Sequence, residues 1–276
     1  MRARVLTRNC ARSVLLRAPR CVRAALPLAL LVSLAAGAHG QDFAAPGSLP
    51  SDGDLLERGI PSARAGLALT ALDVNRSAGL ATRAVAVAAG FQAVRAAAGI
   101  ARTGDAELGW STAAFALGFA GAEGGAALRG ALRRDDAAAP GEVALGEEIG
   151  GGAWIALGAA RAWLAAPQAW LGGALPPLAR GVTAGLDWRG PGGFAGVARE
   201  APRRGFAEGA LWSMRAGLSL GGLALWTEVR EDPLRGGVGV SADLGPLRCA
   251  AQVDAHPVLD PTTRLALTLR SGAHTP

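Results

Sequence analysis

Residues 212–230 constrain this chain more tightly than any other stretch. At their centre, Gly221-Gly222 is a two-residue loop of the kind that permits the φ > 0 turns of tight hairpins. Folding the chain there sets Leu220 against Leu223, Leu218 against Leu225, Ala216 against Thr227 and Met214 against Val229. The alternate positions pair Ser219 with Ala224, Gly217 with Trp226, Arg215 with Glu228 and Ser213 with Arg230. Strand side chains alternate with period two, so the stretch is a ribbon with one apolar face and one small or polar face. The fold then depends on which solvent the apolar face meets.

The same pattern recurs. Around Gly245-Pro246, Leu244 faces Leu247, Ala242 faces Cys249 and Val240 faces Ala251, while Asp243 meets Arg248 and Gly239 meets Gln252. Thr263, Leu265, Leu267 and Leu269 alternate with Arg264, Ala266, Thr268 and Arg270. Nearer the N-terminus, Leu67, Leu69 and Ala71 share a face, as do Ala113, Phe115, Leu117 and Phe119. Thr103-Gly104-Asp105 and residues 121–125 read as turns, and 133–141, which opens on Arg133-Arg134-Asp135-Asp136, reads as a solvated loop. A soluble sandwich would also alternate, with its apolar face turned inward. Two features point to lipid instead. The strands have the length a tilted strand needs to cross the hydrocarbon layer. Their polar faces carry opposite charges among Gly, Ala and Ser, which suits the crowded interior of a small barrel. A chain without helical spans can enter lipid only as a closed barrel, because every backbone polar group must be paired. The expected fold is therefore all-β, an antiparallel up-and-down transmembrane β-barrel. At roughly 18 to 20 residues per strand and turn it would have about 12 strands, within a range of 10–14.

The net charge of +6 does not point to nucleic acid. All basic residues are Arg, and seven of them precede the first acid, Asp42, leaving 21 bases against 22 acids in the remainder. Those seven belong to an Arg-rich region that leads into the apolar run 24–34 and the small residues Ala36-Gly37-Ala38. That order is the layout of an export signal, with cleavage expected after Ala38 or Gly40. The domain reading is a signal at 1–40, a weakly ordered polar arm at 41–62, a barrel at 63–270 and a tail at 271–276. Removal of the signal takes Cys10 and Cys21 with it, and Cys249 alone cannot form an internal disulfide.

Residues 162–179 carry no charge after Arg161 and raise the alternative of a helical inner-membrane protein. Pro167, Pro176, Pro177 and a Gly pair are poor choices for a helix interior, so the run reads as strand, turn, strand. Gly217-Leu218-Ser219-Leu220-Gly221 matches G-x-S-x-G, with Asp243 or Asp254 and then His256 in hydrolase order. A barrel-embedded hydrolase using Ser219 and His256 is thus a second alternative, but the motif needs a strand–elbow–helix context and Ser219 sits in an alternating strand. Residues 237–242 match G-x-G-x-x-A without a following helix, so no dinucleotide site is expected. Neither cofactor nor metal ligation is read from the sequence. The singled-out residues are two lumen charge pairs of structural type, Arg215 with Glu228 and Asp243 with Arg248.

Arg64-Ala65-Gly66-Leu67-Ala68, followed by Asn75, Ala78, Gly79 and Leu80, resembles the opening of the outer-membrane barrels that transport long-chain fatty acids and aromatic hydrocarbons. His256-Pro257-Val258-Leu259, then Thr263-Arg264-Leu265, is similar to the last turn and strand of their secretion-associated relatives. Arg76-Ser77 departs from the family's Asn-Pro pattern, and this shorter chain leaves little room for a plug. The resemblance implies the barrel fold and the bacterial outer membrane. The function expected is non-enzymatic: a narrow pore or transporter for small or apolar solutes, or an envelope scaffold. The partners expected are the lipid bilayer, the outer-membrane assembly machinery and a small apolar solute, with no nucleic acid.

Overall fold

The computed structural model describes residues 43, 46, 49, 54–75, 81–104, 109–135, 144–173, 181–201, 211–231, 234–255 and 261–271, all within the unit Gly37–Pro276. Among the described residues, one helical turn, α1 (Leu55–Arg58), precedes fourteen strands. These are β1 (Gly66–Asn75), β2 (Ala81–Phe91), β3 (Val94–Gly104), β4 (Gly109–Ala120), β5 (Gly124–Asp135), β6 (Ala144–Leu157) and β7 (Ala160–Gly173). They continue as β8 (Thr183–Gly190), β9 (Gly193–Glu200), β10 (Leu211–Leu220), β11 (Leu223–Arg230), β12 (Arg235–Leu244), β13 (Leu247–Ala255) and β14 (Thr262–Ser271). Each strand pairs antiparallel with its sequence neighbours, and β1 pairs with β14 to close the barrel. The strand number is fourteen rather than about twelve, because tight turns bring the repeat down to about 15 residues per strand and connection.

The hairpin that opened the sequence reading has the expected register, with Leu220 opposite Leu223, Arg215 opposite Glu228 and Gly217 opposite Trp226. Gly221 (φ 54°) and Gly222 (φ 90°) supply the turn. The hairpin at Gly245-Pro246 likewise pairs Leu244 with Leu247 and Asp243 with Arg248. The apolar face points outward: Leu218 is 62 % exposed, against 6 % for Glu228 on the alternate position of the neighbouring strand. Leu117, Phe119, Leu128, Leu132, Ile149, Leu164 and Leu265 extend this apolar surface over much of the barrel. A surface of that kind is stable against lipid and untenable in water. The fold is that of a transmembrane β-barrel.

The two ends differ. Turns as short as Gln92-Ala93, Gly158-Ala159 and Gly221-Gly222 join the strands at one rim, which we call the turn rim. The connections at the other rim, which we call the loop rim, each run through residues outside the described set.

The described part of the apolar run 162–179, residues 162–173, is not a helix. It continues β7, and among the described residues no helix is long and apolar enough to cross a membrane. Through Gly173 it is one strand with a bulge, and residues 174–179 lie outside the described residues: Ile149 pairs with Trp170 and Gly151 with Ala166, so residues 167–169 oppose Gly150 alone. Pro167 cannot donate to the ladder, and a bulge is where a strand accommodates it. The charge run 133–141 is not wholly loop either, since Arg133, Arg134 and Asp135 end β5. The rest of that run is outside the described residues, as are the signal 1–40 and the tail 272–276.

Candidate functional site

The lumen is the candidate site, and the chain occupies it. Where the sequence suggested a weakly ordered arm and little room for a plug, Leu49, Leu55, Leu56, Ile60 and Pro61 are buried inside the barrel. The room comes from the wall. Inward positions of β2 to β5 away from the rims are mostly Ala or Gly, including Ala84, Ala97, Gly99, Ala101, Ala114, Ala116, Ala127 and Ala131. Leu55 and Leu56 pack on this wall together with Phe43, and a Cβ built on Gly99 would meet both Leu56 and Phe43. Leu49 reaches across to Gly196, Phe194 and Trp226. Gly59 (φ 70°) ends α1 in the left-handed region, its N–H donating to the Leu55 carbonyl (3.0 Å).

Barrel side chains hold this segment by its backbone. Arg129 Nε donates to the Leu56 carbonyl (2.7 Å), and its Nη1 donates to Glu148 (3.4 Å) and to the carbonyl of the bulged Pro167 (2.5 Å). Arg133 donates to the other oxygen of Glu148 (3.3 Å), as does Gln168 (2.8 Å). Trp154 Nε1 donates to the Pro61 carbonyl (2.8 Å), and Arg95 donates to the carbonyls of Ser62 and Ala63 (2.7 and 2.9 Å). Arg58 of α1 lies 5.4 Å from the centre of the Trp163 ring. A chain without secondary-structure partners inside a barrel must satisfy its carbonyls from the wall, and these arginines and the tryptophan do so.

The opposite wall carries a second network. Glu228 accepts from Arg215 (2.5 Å), Arg230 (2.8 Å) and Gln252 (3.2 Å). Gln252 also donates to Asp254 (2.6 Å), which accepts from Arg264 (3.0 Å), and Gln252 Oε1 accepts from Trp226 Nε1 (3.0 Å). This chain of contacts bridges β11 to β13 over β12, whose inward residues there are glycines. A Cβ on Gly237 would run into Asp254, and one on Gly239 would sit 2.2 Å from the Trp226 ring. The aromatic-over-glycine pairing recurs with Trp163 over Gly185, Phe194 over Gly217 and Phe115 over Gly130, each a direct cross-strand pair.

Of the residues singled out from the sequence, Arg215 and Glu228 belong to this network. Asp243 and Arg248 lie 3.9 Å apart near the turn rim, where Arg248 also donates to Ser241 (3.0 Å). Arg129, Glu148 and Gln168 were not singled out, Arg133 was read as part of a loop, Gln252 only as the partner of Gly239, and Asp254 only as a possible member of the hydrolase order. The signal for Arg129 and Arg133 was phase: they share a face of β5 with Ala127 and Ala131. Ser219 is half-buried beside the Gly221-Gly222 turn, at the turn rim. His256 is outside the described residues; Ala255, which precedes it, ends β13 at the loop rim. The topology thus sets Ser219 and Ala255 at opposite rims.

Between the N-terminal segment and the second wall is a cavity of about 200 Å³. Arg58, Asp187, Glu200, Arg215, Glu228 and Arg230 are among the residues that line it. Its lining carries both signs of charge on strands β8 to β11.

No protein-family model matches the chain, and no curated protein matches it. Among solved structures, it is similar to a multiple mutant of the Rh. blastica porin at 10 % identity, covering 75 % of this chain and 98 % of that one, with a TM-score of 0.41. It is also similar to the KdgM porin at 4 % identity, covering 74 % and 99 %, with a TM-score of 0.42. Likenesses at these scores carry no inference about what this chain does; the barrel is established by its own strand pairing.

Proposed function

We propose that this chain is exported by its N-terminal signal and inserted by the outer-membrane assembly machinery as a barrel. There it acts as a narrow, non-enzymatic channel whose bore is restricted by its own N-terminal segment, at Phe43, Leu49 and residues 54–61. The observation that carries this reading is the charged cavity left open beside that segment, bounded by Arg58, Asp187, Arg215 and Glu228. Opposite charges facing a water-accessible space favour small polar or zwitterionic solutes. They do not favour apolar ones, since the apolar part of the wall is already covered by Leu55, Leu56 and Phe43. The transporter relationship suggested by residues 64–80 has the support of the barrel form alone.

Planar-bilayer recording tests the proposal. The full chain is expected to give small steps, and a variant lacking residues 41–62 to give steps several-fold larger, because a barrel of this size without its filling leaves an aqueous channel. Equal conductance from the two would refute the restriction. Silence from both, with a folded barrel shown by a heat-dependent gel shift, would make the protein an envelope scaffold instead.

A further inference from the structure

The barrel's own contacts do not use all of the charge around the cavity. Glu228 has Arg215, Arg230 and Gln252 as donors, and Arg58 of α1 has Asp54 at 3.5 Å and the Trp163 ring. Three other groups in the lining are left over. Arg230 bonds Glu228 through Nε only, and neither of its Nη nitrogens has a partner among the described residues. The side chains of Arg235 and Glu200 have no hydrogen-bond or ion-pair partner among the described residues. Two guanidinium ends and one carboxylate thus share a cavity without pairing.

Register brings these three to the loop-rim part of the lining. Arg230 is the direct cross-strand neighbour of Arg235 and lies opposite Ser213 on its other side. Glu200 lies opposite Leu211, which shares the inward face of β10 with Ser213. Across β9 to β12 the wall therefore runs from a carboxylate, over the apolar Leu211, to a pair of arginines. Like charges set directly opposite each other are unfavourable, and the free Nη ends of this pair suit the two oxygens of a carboxylate. Glu200 stands at the far side with no cation on it, so an occupant with an ammonium at its other end satisfies both sides. The cavity, at about 200 Å³, is smaller than the roughly 300 Å³ at which pockets for drug-sized ligands begin, so the occupant is small. A sugar ring lacks a platform here. Trp163 is 4 % exposed, with Arg58 over its ring and Gly185 against it, and Trp212 turns outward.

We propose that this part of the cavity binds a small amino-acid zwitterion, its carboxylate on Arg230 and Arg235, its ammonium on Glu200 and its side chain toward Leu211 and Leu49. Guanidinium groups hold a carboxylate through paired, charge-assisted N–H···O bonds, and a carboxylate with free lone pairs accepts from an ammonium in the same way. The barrel wall supplies both charged ends of the site, and the N-terminal segment supplies part of its floor through Leu49. The inference deepens the channel reading, on which the site's role in solute passage rests; occupancy of the site does not require conduction.

The test is isothermal titration of the full chain in detergent with leucine, N-acetyl-leucine and leucinamide, which carry both charges, the carboxylate alone and the ammonium alone. Wild type is expected to bind leucine at least about tenfold more tightly than either blocked form, the scale of one charge-assisted contact. In R235Q, leucine binding should weaken by about tenfold on the same scale while leucinamide binding stays as in wild type. In E200Q, leucine binding should weaken similarly while N-acetyl-leucine binding stays as in wild type. Equal binding of the three ligands by wild type, or unchanged leucine binding in either variant, would overturn the proposal. N-acetyl-leucine bound as tightly as leucine would overturn it in favour of a plain anion site. A heat-dependent gel shift reports folding of the variants, and the ranking of the three ligands by wild type tests the site without any variant. Planar-bilayer recording of the same preparation separates the two readings. Steps without a preference for leucine overturn the site alone, whereas a preference for leucine without steps supports the site and overturns the channel.

Discussion

Glycine does two jobs in this barrel, and only the first is the familiar one of making turns. The second is to give way to an aromatic ring on the next strand. Gly239 is the clearest case, because its missing Cβ is the space filled by Trp226, whose Nε1 then reaches Gln252. Gly239→Val should displace the indole and break that hydrogen bond, costing about 1–3 kcal/mol as overpacked substitutions do. A lower midpoint in guanidinium unfolding would show it; an unchanged midpoint would mean that the ring has no fixed seat. Arg129 is the other informative residue, because one guanidinium joins the N-terminal segment, the β7 bulge and Glu148. Arg129→Ala leaves Glu148 buried with reduced compensation, for which about 3–5 kcal/mol is the usual scale. The expected signature is earlier cleavage by a protease within residues 43–61 than in wild type. Cleavage at the wild-type rate would show that the segment is held without it.

Among the elements, legibility in the sequence follows contrast. The β10–β11 and β12–β13 hairpins could be paired residue for residue because Gly221-Gly222 and Gly245-Pro246 fix the turns and leucines alternate with charges. Arg215 and Glu228 were visible for the same reason. β6 to β8 offered no such contrast. Residues 150–153 of β6 are three glycines and an alanine, small on both faces, and the bulge at Pro167 breaks the phase of β7. Arg129, Arg133, Glu148 and Gln168 come together across that broken phase, from β5, β6 and β7, and no local pattern announces them. The outward assignment of the apolar face can be tested directly. Ile100→Arg places a charge near the middle of β3, on the exposed face, and is expected to cost about 2–4 kcal/mol in lipid, whereas near the rim, where Arg83 sits, the cost falls to about 0–1 kcal/mol. Urea unfolding in liposomes measures it; a neutral substitution would mean that this face does not meet hydrocarbon.

At the scale of the whole molecule, the feature furthest from the sequence is the filled bore. Residues 43–61 carry the Gly, Pro and polar content of a linker, and nothing local marks Leu49 or Leu56 as buried. Their partners are remote in the chain: Leu56 meets Arg129, Pro61 meets Trp154 and Leu49 meets Gly196. The wall that receives them was legible as strands, but its run of inward alanines reads equally well as an empty lumen. Closure of the sheet has a temporal consequence. β1 and β14 are the first and last strands made, and their pairing is the joint that completes the circle. Residues 43–61 lead into β1 at that joint. They must therefore be laid against the wall while the sheet is still open, or else be threaded end-first into a bore already sealed. The joint thus acts as a deadline: a molecule that shuts early has the same fourteen pairings and a vacant interior. Refolding fast enough to outrun the packing of α1 should yield both kinds, seen as two step sizes in a single preparation.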